Sequence, residues 1–299
     1  MRTCCCSQQA ARPWLAAGGR GSYPMTAIRS RGESIVLLAI TIAGLLIFIG
    51  PLFVGRGFPQ STALFSALIA CSALAVVAVA LQTRHLSTRL LAVLAALVAL
   101  DATLRLVVVI GVLGFSPIFF LIIVGGLVMG PGFGFALGAL TLVLSAVLTA
   151  GFGPWLPYQM LACGWVGMGA GYFGRWPFAR QHVWLVALYG AIAGFLYGVL
   201  LDFWEWPFLL GAGSSPIGWA PDLSAAALAR RFAAFYLTTS FLYDAFRAAG
   251  NLLLVGLLGG PVALALGRFR RRFLVEWAVE PAEHVTSVAN IAGDVRTPA

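Results

Sequence analysis

Residues 128–171 read VMGPGFGFALGALTLVLSAVLTAGFGPWLPYQMLACGWVGMGAG, and this stretch decides the fold. It contains no charged residue, and Gly-Pro pairs at 130–131 and 153–154 divide it into two apolar segments. Each segment is close to the length that crosses a bilayer, and a chain facing lipid must satisfy its backbone polar groups within a helix. Gly134 and Gly138 share one helical face, where a missing side chain lets a second helix approach. The stretch therefore predicts a tightly packed membrane hairpin.

The composition of the whole chain also places it in a membrane. Of its 299 residues, 61% are hydrophobic and 10% are charged, whereas soluble domains carry about 25% charged residues. The net charge is +9, and the sequence contains Arg but no Lys. Because these arginines lie mostly between the apolar runs, we expect contact with an anionic lipid bilayer and no nucleic-acid partner.

The apolar runs predict an all-α fold, a polytopic membrane helix bundle with about eight transmembrane segments. They lie at about 35–54, 62–81, 90–113, 117–128, 132–150, 156–173, 183–201 and 232–258. We divide the chain into a disordered cytoplasmic tail at 1–33, a membrane hairpin at 34–83, a six-helix core at 89–268, and a basic, then polar cytoplasmic tail at 269–299. The first 31 residues contain no apolar run of signal-peptide length.

The distribution of arginines predicts the orientation. One side of the predicted bundle carries both chain ends and most arginines, including Arg84, Arg89, Arg175, Arg180 and the run Arg268–Arg272. The other side carries Arg56, Arg230 and Arg231. The positive-inside rule then places both termini in the cytoplasm, with the chain in the plasma membrane. The segment at 117–128 is short for a crossing, so it is either a tilted short helix or a re-entrant piece, and the arginine distribution favours a full crossing.

Four charged residues lie inside apolar segments, where a charge is costly and indicates function. Asp101 and Arg105 are four residues apart, and Asp244 and Arg247 are three apart, so each pair shares a helical face. Two interpretations stay open. Either each pair neutralises itself and is structural, or both pairs face one polar cavity that opens outward and binds a ligand.

Aromatic and polar residues gather at the predicted outer ends of the core segments. They include Trp155, Tyr158, Gln159, Tyr197, Asp202 and Glu205. The run WEWPF at 204–208 predicts either an aromatic lid over a ligand or an interfacial aromatic belt. The ladder Gly190, Gly194 and Gly198 predicts close helix packing.

The sequence shows no catalytic signature. It contains no H-E-x-x-H, G-x-x-x-x-G-K-[ST] or G-x-S-x-G motif, and its histidines lie in predicted cytoplasmic segments. We therefore expect a protein that is not an enzyme, with no catalytic residue, metal site or cofactor. Because the chain has no ATPase motif, active transport would need an ion gradient or another subunit.

The order of features between about 89 and 268 resembles a known family. A helix with A-x-x-x-A spacing precedes a Pro-led short helix and the sequence GPGFG at 130–134, and a Gly-Pro-Trp loop precedes a helix ending GMGAG at 167–171. This series is similar to the substrate-binding S component of energy-coupling factor (ECF) transporters, especially the actinobacterial type with extra helices before the six-helix core.

The resemblance implies a function and its partners. The core would bind a vitamin or related micronutrient, such as a cobalamin-like compound, at the outer face. It would release this cargo inside together with a transmembrane scaffold (T) subunit and two cytoplasmic ABC ATPases. The face toward the scaffold would comprise Ala92, Ala95, Ala96 and Ala99. The pocket would be lined by Arg105, Trp155, Tyr158, Gln159, Tyr197, Asp202, Tyr243 and Arg247, with Glu205 and Asp244 beside them.

Other functions are compatible with the residues. Asp101 and Asp244 could be the ion sites of a secondary transporter, although the two halves show no internal repeat. Asp202, Glu205 and Asp222 could surround the metal of a membrane-embedded transferase. A purely structural assembly protein is a further hypothesis, in which Arg105 and Arg247 would not affect transport.

Overall fold

The computed structural model describes residues 31–54, 88–109, 117–153, 155–209, 215–220 and 223–273. Every regular element in these ranges is a helix, as the sequence predicts. In chain order the helices are α1 (Arg31–Val54), α2 (Thr88–Val109), α3 (Ile118–Met129), α4 (Pro131–Thr149), α5 (Leu156–Phe173), α6 (Pro177–Gln181), α7 (Val183–Leu209), α8 (Ala225–Thr239) and α9 (Phe241–Phe273). The predicted segment at 62–81 and most of both predicted tails lie outside the described residues.

The helix bounds differ from the predicted ones mainly in the last third of the chain. α7 continues to Leu209, and the segment predicted at 232–258 is two helices that meet at Ser240. At this break the Thr239 hydroxyl donates to the carbonyl of Phe235, and the Ser240 hydroxyl donates to a carboxylate on α7. Hydroxyl side chains that bond in this way compete with continuation of the helix.

α4 and α5 run antiparallel with their backbones in contact. A Cβ atom on Gly134 would meet the carbonyl group of Gly167, and a Cβ atom on Gly167 would meet that of Gly134. One turn away, a Cβ atom on Gly138 would meet the carbonyl group of Cys163. Helices approach this closely only where small residues face each other. The predicted tight hairpin is therefore present.

The short helix α3 is enclosed by this hairpin. Its residues from Ile118 to Val128 are all buried, and Gly126 lies against the carbonyl oxygen of Gly167. α3 turns into α4 at Gly130, whose φ of 111° is a conformation that residues with a Cβ atom rarely adopt. Pro131 then begins α4, where its missing N–H costs no helical hydrogen bond.

α7 and α9 form a second glycine-dependent pair. The α7 residues that face α9 are Gly190, Gly194 and Gly198, as predicted for this ladder. Opposite them on α9 lie Asn251, Ala248 and Asp244, in that order. The ladder therefore leaves room for polar side chains of α9 as well as for close packing.

Several helices have the length and composition of membrane spans. Among the described residues, the stretches long and apolar enough to cross are Pro131–Thr149, Val183–Pro207 and Phe241–Arg271. Shorter apolar helices are Ser34–Leu46 and Ile118–Met129. α2 carries Asp101 and Arg105 in its interior, and it packs against α3 and α4. The fold is a polytopic helical membrane bundle.

Two arginines join the helix ends on the basic side of the bundle. Arg180 donates from Nε to the carbonyl of Gly174, at the end of α5. Arg270 donates from Nη1 to the carbonyl of Val128, near the end of α3, at 2.6 Å. Burial and the nearby Arg270 lower the pKa of the Arg180 guanidinium. The C-terminal ends of α3, α5 and α9 therefore lie on one side, as the predicted alternation of crossings requires.

The glycine contact gives a direct test of this packing. Replacing Gly134 by Ala forces α4 away from α5, and we expect the free energy of unfolding to fall by about 1–3 kcal/mol, the usual cost of overpacking. Thermal unfolding of the purified protein in detergent measures the change. The matched control is Gly256→Ala on α9, where a Cβ atom meets nothing within 4 Å. Equal stability of the two variants would contradict the packing.

Candidate functional site

The charged pair on α9 is the best-connected part of the candidate site. Arg247 donates to the Asp244 carboxylate, whose side chain is 2% exposed. The Tyr236 hydroxyl on α8 donates to the same carboxylate at 3.0 Å. The carboxylate occupies the space left by Gly198, since a Cβ atom there would collide with both oxygens. α7, α8 and α9 thus meet at Asp244.

A second carboxylate lies beside this pair. Asp202 on α7 is buried, and its Oδ1 accepts a hydrogen bond of 2.8 Å from the Ser240 hydroxyl. Its Oδ2 has no hydrogen-bond partner among the described residues. Glu205, one turn further along α7, is half-buried. The structure therefore brings two of the predicted site residues, Asp202 and Asp244, close together.

Aromatic rings surround the Arg247 guanidinium. Its Cζ atom lies 5.0 Å from the centre of the Tyr197 ring and 5.9 Å from that of Phe119. The two rings contact each other edge to face at 4.9 Å. A guanidinium over aromatic faces gains cation–π attraction. Arg247 is therefore fixed by the Asp244 carboxylate and by this aromatic surface.

Arg105 lies on α2, near the C-terminal end of that helix. It is half-buried and forms no ion pair within the described part of the chain. α2 packs against α3 and α4. Among the described residues no ion pair or hydrogen bond joins Arg105 to the Asp244–Arg247 pair.

Asp101 differs from the other buried carboxylates. It is fully buried on α2, and neither of its oxygens makes a hydrogen bond with a described residue. The Thr141 hydroxyl of α4 is close enough to act on it but is also without a hydrogen-bond partner. Arg105 acts on Asp101 electrostatically without forming an ion pair. Asp101 and Arg105 therefore do not neutralise each other by direct contact.

An aromatic column borders the candidate site. Tyr158 is buried and packs on Trp204 at 4.6 Å between ring centres. Phe48 of α1 also packs on Tyr158, with 5.0 Å between the two ring centres. Gln159 is half-buried, whereas Trp155 at the start of α5 is 44% exposed. The buried part of this predicted cluster is Tyr158.

The WEWPF run does not form one continuous lid. Trp206 is 1% exposed and belongs to a small second core with Trp219 and Phe235. Its indole N–H donates to the carbonyl of Ile217 at 2.9 Å. Trp206 therefore anchors the 215–220 segment and α8, while Trp204 faces the aromatic column.

Two predicted groups lie on exposed helix faces. Tyr243 is 50% exposed, so its ring points away from the neighbouring buried Asp244. On α2 the exposed face carries all four predicted docking residues, Ala92, Ala95, Ala96 and Ala99. The opposite face of α2 contains Asp101 and Ala102, which are both fully buried. The alanine face is therefore exposed and separate from the polar face.

Several residues at the candidate site were not predicted from the sequence. Ser240 gave no signal, because its role depends on the break between α8 and α9. Phe119 and Phe48 are single aromatics within apolar runs, and only the fold brings them to Arg247 and Tyr158. Thr141 lies in the hairpin that was interpreted as packing alone. A search for isolated hydroxyls in apolar helices would have singled it out.

The described part of the chain offers no metal centre. No three His, Cys, Asp or Glu side chains in it lie close enough together to hold a metal ion. Asp222, one of the residues considered for a metal, lies outside the described residues.

Comparison with known proteins gives one finding. A family model described as ECF transporter, substrate-specific component, matches residues 88–259, which is more than half of the chain. The matched interval begins at α2 and ends within α9, so it contains both charged pairs, whereas α1 precedes it. No curated protein and no solved structure matches the chain.

The ion pair on α9 predicts a large effect of removing one partner. Replacing Arg247 by Ala leaves the buried Asp244 carboxylate without its cation, so we expect the free energy of unfolding to fall by about 3 kcal/mol or more. Denaturant titration in detergent measures the loss. The control is Arg230→Ala on the exposed side of α8. The double replacement Asp244→Asn with Arg247→Gln should recover part of the stability. A loss no larger than that of the control would show that the pair is not structural.

Proposed function

The chain belongs to the family of ECF transporter substrate-specific components, and from this we propose that it captures a vitamin or related micronutrient at the outer membrane face. Membership of the family makes the chain a membrane-embedded transport subunit and supports a role other than catalysis. The observation that carries the finer proposal is the buried polar cluster in which Arg247 pairs with Asp244 and lies 5.0 Å from the centre of the Tyr197 ring. Charged groups rarely lie inside an apolar bundle unless they serve a ligand or each other.

We propose that the captured molecule combines a ring system with polar groups. Tyr197, Phe119 and Tyr158 supply aromatic surface, while Arg105, Asp202 and Gln159 supply hydrogen-bonding groups around it. Glu205 lies at the outer end of the same helix as Asp202. A cobalamin-like compound is one substrate compatible with this surface. Trp155 and Tyr243 are exposed, so within this proposal they belong to the rim of the pocket.

The proposed partners are a transmembrane scaffold subunit and two cytoplasmic ABC ATPases. The exposed alanine face of α2 supports the scaffold contact, because small residues let a partner's helix approach closely. The chain has no ATPase motif of its own, so a partner must supply the ATP hydrolysis. The proposed orientation has both termini in the cytoplasm of a multi-pass protein of the plasma membrane. The arginines at the common end of α3, α5 and α9 support it.

An ion-coupled secondary transporter is the second candidate, and Asp101 favours it. A fully buried carboxyl group without a hydrogen-bond partner is typical of sites that take up and release a proton or ion. In that case transport would depend on Asp101 and would proceed without a partner ATPase. The two candidates therefore differ in their energy source.

Affinity purification from native membranes in mild detergent tests the proposed function. We expect a second membrane subunit, an ABC ATPase pair and a small molecule to accompany the chain, and mass spectrometry identifies each. A chain that is repeatedly recovered alone, yet supports uptake by reconstituted vesicles without ATP, would overturn the proposal and favour the secondary transporter.

The alanine face gives a separate prediction about the scaffold. Replacing Ala95 by Leu inserts a bulky group into the proposed helix contact, at a cost of about 1–3 kcal/mol. The amount of scaffold recovered with the chain should therefore fall roughly tenfold, with the bound small molecule retained. The matched control is Ala249→Leu, which makes the same change on the exposed face of α9. Undiminished recovery of the scaffold with the Ala95 variant would exclude this face from the contact.

A further inference from the structure

The basic end of the bundle carries two arginines that hydrogen bond to neighbouring helix ends. Arg180 of α6 donates from Nε to the carbonyl of Gly174, the residue that follows α5. Arg270 of α9 donates from Nη1 to the carbonyl of Val128 on α3, at 2.6 Å. The two helix ends are in direct contact, since a Cβ atom on Gly174 would lie 2.6 Å from the carbonyl oxygen of Leu127. Backbone contacts therefore bring the two guanidinium groups to one place, where α3, α5, α6 and α9 meet.

Helix capping accounts for only part of the hydrogen-bonding capacity of Arg180. A cation at the C-terminal end of a helix is attracted by the free carbonyl groups there. Arg180 uses its Nε–H group in this way, and its two Nη amino groups make no hydrogen bond with a described residue. Paired N–H groups in one plane match two oxygens of a phosphate at once. Arg180 therefore keeps donors that suit an anion.

The charge of Arg180 is not balanced by a carboxylate within the described part of the chain. Arg180 is half-buried and forms no ion pair there. Asp202 and Asp244 lie toward the opposite end of the bundle, late in α7 and early in α9. Burial, and then the neighbouring Arg270, lower the pKa of the Arg180 guanidinium. Both causes disfavour the cation, and a bound anion would offset them.

The surface beside Arg180 has the composition of a membrane interface. The ring of Phe178 lies 5.7 Å from that of Trp176 and 4.4 Å from that of His182, between ring centres. Trp176, Phe178 and Trp184 are 53%, 46% and 55% exposed, and α6 directly precedes the apolar span of α7. Exposed aromatic side chains concentrate at the headgroup level of a bilayer. The aromatic segment therefore places Arg180 at the depth of lipid phosphates.

From this arrangement we propose that Arg180 and Arg270 bind the phosphate of an anionic phospholipid in the membrane leaflet at this end of the bundle. Two adjacent guanidinium groups favour a headgroup with net negative charge over a zwitterionic one. The exposed rings of Trp176 and Phe178 would contact the first part of the acyl chains. The bound lipid would join the ends of four helices, at a site separate from the candidate capture site.

A lipid titration of the full-length protein in mild detergent tests the proposal. Phosphatidylglycerol is the anionic probe, and phosphatidylcholine is the zwitterionic control. Native mass spectrometry measures the bound lipid, and thermal unfolding measures the stabilisation. We expect the wild-type protein to retain phosphatidylglycerol in preference to phosphatidylcholine and to unfold at a higher temperature with phosphatidylglycerol.

Variants of one arginine locate the binding site. Arg180→Gln should weaken phosphatidylglycerol binding at least about tenfold, the effect of losing a hydrogen bond to a charged group. Arg180→Lys should lose less, because it keeps the charge. The matched control is Arg230→Gln on the exposed side of α8, which removes the same charge elsewhere and should bind phosphatidylglycerol like the wild type.

Three outcomes would overturn the proposal. If Arg180 only caps α5, the Gln variant loses the same stability in both lipids and keeps the wild-type affinity for phosphatidylglycerol. If the occupant is an acidic segment of a partner protein, Arg180→Gln loses that partner from native membranes while phosphatidylglycerol binding is unchanged. Equal stabilisation of the wild-type protein by the two lipids contradicts the proposal even if the Gln variant does not fold. None of these outcomes bears on the capture function.

Discussion

Contact between the backbones of Gly134 and Gly167 sets the geometry on which the other helices depend. Without side chains between them, α4 and α5 lie closer than ordinary helices, and α3 fits against the same carbonyl group through Gly126. Van der Waals packing of this kind replaces the hydrophobic effect, which gives little attraction between helices in lipid. One turn along the same contact, Gly138 of α4 lies against the carbonyl group of Cys163 on α5.

The second glycine pair shows how packing and polarity are combined. On α7 the absence of a side chain at Gly198 admits the Asp244 carboxylate, and Asp244 in turn holds Arg247 over the Tyr197 ring. The contact between α7 and α9 and the buried Asp244–Arg247 ion pair therefore both depend on Gly198. The site also receives a residue from outside the family match, since Phe48 of α1 packs on Tyr158. This contact gives the first N-terminal helix a structural role beside the core.

The sequence predicts a structural feature well where the residues that cause it are close together in the chain, and poorly where they are far apart. Glycine spacing and Gly-Pro breaks are local, so the hairpin, the α7 ladder and the bounds of α5 follow from the sequence. The break at Ser240 depends on Asp202, which lies 38 residues earlier, and no local pattern indicates it. Among the predicted site residues, the structure brings Asp202, Asp244 and Arg247 close together. Tyr243 is adjacent to Asp244 in sequence but exposed, because helix rotation decides which neighbour faces inward.

The account makes one central claim, that the transported molecule is held beside the Asp244–Arg247 pair, where α7, α8 and α9 meet. A cryo-electron microscopy structure of the protein, purified with its partners and its small molecule from native membranes, tests this claim most directly. The account predicts ligand density beside the Tyr197 ring and the Asp244–Arg247 pair. Ligand density that contacts neither the Tyr197 ring nor the Asp244–Arg247 pair would contradict it.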